Sequence, residues 1–492
     1  MPSPVQRRQA HRGHRPPGLR GTRLTPRGRR VALFLVVVAV AAVVVLLLAG
    51  RDQQAGPRHL APGRGRTDTT ADPLAYDSRR RAEFEARAAA GLSHVLYDKS
   101  PGGVPATARR VASLRPTIDD VARRAHQDPD TLEAIVFLES AGRPDVAASD
   151  DLSSAAGLTQ ILAQTATGLL GLKVDVAASE KLTRSIGRST SLAHRRRLLA
   201  QRRRVDERFD PRKALEATTR YLEFAKGRLG RDDLAVESYH MGVGNLQNAL
   251  KAYGEDGIPY TQLFFDSTPL RHAAAWRILA GLGDDSSTYL WRIGAAKAIM
   301  ALYRRDPAAL ARQARLQAAP SAENVLRPPA STPRFGDDAA LRSDALVALD
   351  PPVLAAARVR LSRALAAAPA GTRTLRPPAL ALLRYLGQGV AAIARTSPLV
   401  LSAATRSVAG EATSGEGGAG IEASPSLHTT GYAFDVSRAY RTPAQAQAFQ
   451  FWLDRLTALD LIAWTRGPDS IHVAVGPRAG ALVGPMLGAT SG

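Results

Sequence analysis

The chain has 492 residues, no cysteine, and 66 Lys and Arg against 44 Asp and Glu, for a formal net charge of +22. A chain without cysteine has no disulfide framework, so any metal it binds must be held by His, Asp and Glu. A basic balance this strong points to anionic partners, of which nucleic acid is only one class.

Residues 1–30 carry nine arginines and no acidic residue, and Val31 to Gly50 follows as twenty residues without a charge. At about 1.5 Å per residue such a run matches a hydrocarbon core of about 30 Å. The arginine excess before it predicts a basic cytoplasmic tail (1–30), a single transmembrane helix (31–50) and an extracytoplasmic remainder: a single-pass protein of the cell membrane. A cleaved signal peptide is the competing reading, but its apolar region is normally about 7–15 residues long, so the longer run favours an uncleaved anchor. On that side of the membrane the positive charge meets anionic lipids and acidic polymers before nucleic acid, which is not expected as a partner. Roughly 440 residues remain, enough for two or three domains with proper cores.

Residues 51–81 mix Gly, Pro, Arg, Asp and Thr without apolar period and read as a flexible spacer. A mostly α domain is expected over 82–310, with helical pattern sustained from Ile118 to Arg304. Within it, Asp128-Pro129 sets a capping residue before a proline at the first helical position, and Gly142 with Pro144 ends that helix. Leu132, Ile135, Val136 and Glu139 share the i, i+3, i+4, i+7 spacing of one face. A carboxyl on an apolar face loses water in its charged form, which raises its pKa and lets it donate a proton near neutrality. The run His194 to Arg204 reads as a solvated amphipathic helix, with contact to anionic polymer or lipid headgroups as its functional version. A Pro-rich linker (311–340), with Pro328-Pro329 inside it, precedes an α+β region over 341–492.

Downstream of Glu139-Ser140 come Gly157-Leu158-Thr159-Gln160 and then Glu237-Ser238-Tyr239-His240-Met241-Gly242-Val243-Gly244-Asn245. This order resembles the lysozyme-like lytic transglycosylases of the soluble type over roughly residues 115–305, and Asp285 to Tyr289 looks like a looser version of that family's last motif. Physically, Gly157 permits a close turn against a ligand, Gln160 offers a donor and an acceptor, and Tyr239 an apolar ring with a polar tip. The resemblance implies a lysozyme-like fold with Glu139 as catalytic acid and base and Ser140, Gly157, Gln160 and Tyr239 as substrate contacts. It also implies that the bond between N-acetylmuramic acid and N-acetylglucosamine is cut without water and without a cofactor, leaving a 1,6-anhydro sugar. Asp150 and Asp151 are candidates for the second carboxylate that a hydrolysing muramidase would use. His240 stands where the family carries Asn, which bears on substrate orientation.

The second constellation is Ser426-Leu427-His428-Thr429-Thr430-Gly431-Tyr432-Ala433-Phe434-Asp435, followed by His472 within Ile471-His472-Val473-Ala474-Val475. Period-2 alternation sets His472 and Ala474 on one face of a strand, and two His with one Asp leave a fourth position for water, the open arrangement of a catalytic zinc. The string resembles the D-alanyl-D-alanine carboxypeptidase family of zinc peptidases over about 376–488. That likeness implies Zn²⁺ held by His428, Asp435 and His472, a peptide site including Ser426, and Arg406 gripping a substrate carboxylate. The family's general base is a Glu three residues before the last His. Here Asp469 stands in that place, shorter by one methylene, so the site can hold metal and peptide and still cut slowly.

The two halves point to one polymer. The expected protein is a membrane-anchored peptidoglycan enzyme with glycan strands and stem peptides as partners and anionic wall polymers as a further contact. The rival from another class is a wall-binding scaffold with both sites dead.

Overall fold

The computed structural model describes residues 72–414 and 426–488, and helices dominate them. The helix Pro129–Ser140 forms where the capping signals lie. The Asp128 carboxylate accepts from the backbone N–H of Asp130 and Thr131, and Ala141 in the left-handed region with Gly142 behind it closes the other end. Leu132, Ile135 and Val136 are fully buried, so the helix delivers Glu139 to the edge of a packed face. It lies against Arg115–Arg124 and against the long helix Tyr289–Arg305.

The C-terminal part holds a five-stranded sheet in the order Val359–Leu361, Leu399–Ala403, Ala433–Ser437, Ser470–Val475, Ile462–Arg466. The first pair is parallel and the rest antiparallel. Its register sets Asp435 directly opposite His472. The helices Pro377–Ala394 and Pro443–Ala458 pack together, and Ala448, Phe449 and Leu453 share a core with Val436 and Val473 of the sheet.

That core does not stop at the sheet. Phe84, Leu234 and Trp291 of the helical part belong to the same apolar cluster as Val359, Leu401 and Val473. Gly91, at the end of helix Arg81–Gly91, shows why the two parts touch so closely: a Cβ there would stand 1.9 Å from the Thr457 carbonyl oxygen. The buried Arg455 guanidinium donates across the same seam to the carbonyls of Phe264 and Ser267, both at 2.9 Å. Residues 311–340 carry the helix end at Leu316 and a short helix, Glu323–Leu326, that lies on the sheet.

One expectation about fold class and location is corrected. Among the described residues no helix is long and apolar enough to cross a membrane, against the single-pass membrane protein read from sequence. The two longest helices show the reason: Pro211–Leu229 is amphipathic and strewn with charge, and Pro377–Ala394 carries Arg384 and buries its apolar face on protein. The run Val31 to Gly50, the basic tail before it and most of the spacer lie outside the described residues.

The Arg-rich segment is helical, Leu192–Val205, with Arg195, Arg196 and Arg197 exposed. It is not solvated all round. Arg202 is buried, paired with Asp145 at 3.1 Å and stacked 3.7 Å over the Phe209 ring.

Candidate active site

Glu139 opens onto a cavity of about 270 Å³ whose walls include Ser140, His240, Asp285, Tyr289 and Arg292. Desolvation by the apolar face pushes its carboxyl up to about 7, and the hydrogen bond from Tyr289 opposes the rise. Tyr289 donates through its hydroxyl to Glu139 Oε1 at 2.7 Å. One carboxyl oxygen is thus held by Tyr289, and the raised pKa lets the group keep a proton towards neutrality.

Tyr289 is itself fixed at two ends. It begins the helix Tyr289–Arg305, whose second backbone N–H, that of Leu290, donates to Glu237 Oε2 at 2.8 Å. Glu237 is completely buried, and desolvation pushes it up to about 8. The Tyr289 ring stacks on that of Tyr239 with centroids 6.2 Å apart. Tyr239 in turn donates to the Thr159 carbonyl at 2.8 Å. So the Tyr239 motif and the Gly157 motif meet, and they meet behind Tyr289 rather than at the cavity wall.

The loop that supplies Thr159 hangs on one side chain. Arg208, fully buried, pairs with Asp206 at 2.8 Å and donates to the carbonyls of Leu152, Ser154 and Ile161. Gly157 sits at φ +82°, and a Cβ on it would stand 1.9 Å from the Arg208 carbonyl oxygen. Its close approach is to the Arg208 backbone. Gln160 turns its amide back, donating to the Gly157 carbonyl at 2.9 Å and to that of Val146 at 3.3 Å. The segment is a tight turn before the helix Ala163–Gly168, not the opening of that helix.

Ser140 is buried, with its hydroxyl donating to the Val136 carbonyl. Asp150 and Asp151 are exposed, and Asp151 accepts from the Ser153 N–H as a turn cap. Neither lines the cavity. Asp285, which does, is ion-paired to Arg292. His240 faces Ser286 Oγ at 2.9 Å, and its ring stacks on Tyr289 at 5.4 Å. The contact that sequence reasoning left unassigned is Tyr289 with Glu139. The looser last motif was its only signal.

In the C-terminal part the sheet brings His428, Asp435 and His472 together, one donor atom from each lying within 4.8 Å of the others. His428 sits in the turn Leu427–Thr430, whose first N–H bonds lean on the Ser426 hydroxyl. Its Nδ1 meets the Ala404 carbonyl at 2.6 Å, which leaves Nε2 to face Asp435 Oδ1 at 3.0 Å. His472 presents Nδ1 to the same oxygen at 2.9 Å. Burial disfavours a charge on His472, yet the hydrogen bonds to Asp435 and Glu323 win and push it up to about 9. The two imidazoles, despite the burial of Asp435, hold that carboxyl far below its ordinary range.

Donors bound tetrahedrally at about 2.0–2.1 Å stand about 3.3 Å apart, so this donor set fits a zinc ion with small outward shifts. Arg406 is adjacent, its backbone N–H bonded to the His428 carbonyl at 3.1 Å. Asp469 is not brought in. It is exposed in the turn between the last two strands, its carbonyl bonded to the Arg438 N–H, and it stands outside the ligand cluster.

Residues 185–260 match the family model described as Transglycosylase SLT domain. The matched stretch contains Glu237 and Tyr239, while Glu139 and Tyr289 flank it on either side. No curated protein matches the chain.

Proposed function

We propose that the helical part cuts peptidoglycan glycan strands by non-hydrolytic transglycosylation, with Glu139 as the single acid and base. The observation that carries this reading is a desolvated carboxyl, held by Tyr289 on the wall of a cavity, in a chain with a transglycosylase SLT domain. Glu139 first gives its proton to the bridging oxygen, then takes one from the C6 hydroxyl of the muramic sugar as that oxygen attacks the anomeric carbon. The nucleophile comes with the substrate, so no second carboxylate is needed. A hydrolysing enzyme needs one about 5–9.5 Å from the first; Asp150 and Asp151 do not line the cavity, and Asp285, which does, is taken up in an ion pair with Arg292, which favours transglycosylation over the muramidase alternative. Intact sacculi digested with the full chain should release muropeptides ending in 1,6-anhydro sugars, read by mass spectrometry. Reducing ends alone would establish the hydrolase instead, and no product at all would leave the scaffold reading.

A second reading is favoured by the convergence of His428, Asp435 and His472 on one point: the C-terminal part is a zinc site acting on stem peptides. Zinc bound there would supply a Lewis acid and a water of lowered pKa. His428 is kept in one tautomer by the Ala404 carbonyl, Asp435 carries the negative charge, and Arg406 stands beside the cluster to meet a peptide carboxylate. Asp469, exposed in the turn before the strand that carries His472, is the candidate base of this reading. D-alanine release from stem peptides should vanish on chelation and in His472→Ala. Release that survives both would remove the metal from the reaction.

A further inference from the structure

We infer that Glu323, from the segment joining the helical part to the sheet, is the outer carboxylate that orients His472 for metal binding. The inference rests on the zinc reading and extends it to a residue outside every motif.

Each histidine of the cluster turns one ring nitrogen to Asp435 and gives the other to an acceptor behind it. For His428 the acceptor is the Ala404 carbonyl. For His472 it is the Glu323 carboxylate, 3.2 Å from Nε2. A metal-bound imidazole that donates its second N–H to a carboxylate is fixed in tautomer and ring plane and becomes a stronger donor, and loss of such a partner typically weakens metal binding about 10–100-fold.

Glu323 is delivered by a fixed element. It opens the short helix Glu323–Leu326, and Ala322 and Leu326 pack on the apolar patch of Leu427, Ala433, Ala463 and Ala474, on the same sheet. Arg327 then locks the helix end, donating to the Val475 carbonyl at 3.1 Å with its guanidinium 3.4 Å over the Tyr432 ring. The residues paired with His472 across the sheet are Asp435 and Thr465, and its ring nitrogens are held by Asp435 and by Glu323. The joining segment thus completes the metal site from outside the strand framework.

The test is zinc affinity of the full chain by competition with a chromophoric chelator, together with the visible spectrum of the Co²⁺ form. Glu323→Ala should bind zinc about 10–100-fold more weakly than the parent and alter the Co²⁺ bands. Glu323→Gln keeps an acceptor for the imidazole N–H and should recover part of the loss, which a purely structural role on the surface of the short helix would not produce. Tight binding by the parent with unchanged affinity and spectrum in Glu323→Ala overturns this inference alone. A parent chain that binds neither ion, or binds equally well with His472→Ala, overturns the zinc reading and this inference with it.

Discussion

Glu139→Gln is expected to lower formation of anhydro-muropeptides by at least 10²–10⁴-fold, roughly the contribution of one positioned acid and base. The pH dependence should carry the same signature. With its carboxyl pushed up to about 7 by desolvation, Glu139 loses its donor proton as pH rises through that value, and kcat/KM should fall on the alkaline side of it. Tyr289→Phe removes a hydrogen bond that favours the carboxylate, so the alkaline limb should move to higher pH. Stability should fall with rising pH as well. The folded chain holds this proton more tightly than the unfolded chain, whose value is near 4.5. The resulting stabilisation is fully present below about pH 4.5 and lost as pH rises through about 7. Glu139→Gln has no charge to bury and should be more stable than the parent by on the order of 1–3 kcal/mol at pH 8.5, and equal to it at pH 4. Urea unfolding at the two pH values measures this. Full activity in the variant, or a pH-independent stability difference, would remove Glu139 from the mechanism as described.

Arg208→Ala should be the most damaging single change to the fold. The side chain has no solvent exposure, and its loss strands the buried Asp206 carboxylate with only the Ser179 hydroxyl and one backbone N–H. It also takes a donor from three carbonyls, those of Leu152, Ser154 and Ile161, of which the last keeps the Ala156 N–H. Removing one partner of a buried ion pair costs about 3–5 kcal/mol, mostly because the other charge remains. Replacing both members, Arg208→Met with Asp206→Leu, should recover much of this loss, since no charge is then left behind. Activity should not return with stability. The loop pinned by Arg208 offers Thr159 to Tyr239, which backs Tyr289, and the double variant leaves that loop unanchored. Chemical unfolding reads the first effect and muropeptide yield the second. An Arg208→Ala protein within 1 kcal/mol of the parent would show that the loop is held by other contacts.

What could be read along the chain was what neighbours within one or two turns decide. The cap at Asp128-Pro129, the stop at Gly142 and the placement of Glu139 on an apolar face all depend on helical spacing, and the helix Pro129–Ser140 has them all. Alternation around His472 likewise foretold a strand, and its register then set Asp435 opposite. Contacts between distant segments could not be read this way. Glu139 meets Tyr289 across 150 residues, and only the packing of two helices brings that hydroxyl to that acid. Gly157 illustrates the ambiguity: its need for close approach was legible, but that the Arg208 backbone stands against it was not.

The expected membrane helix rested on residues 31–50, and among the described residues no helix has that length and apolar character. The Arg-rich run suggested a solvated amphipathic helix, and within it Arg202 found Asp145 and Phe209 and was buried. Glu323 lies in a Pro-rich segment without period, so nothing local marked it, and its pairing with His472 exists only because Ala322 and Leu326 dock on the sheet. Sequence alone determined the local conformation around the candidate residues, since capping, periodicity and alternation act over a few residues. Tertiary structure alone decided which of them meet, because a carboxyl becomes a working acid, or an imidazole a metal ligand, only when burial strips its water and a partner far along the chain closes on it.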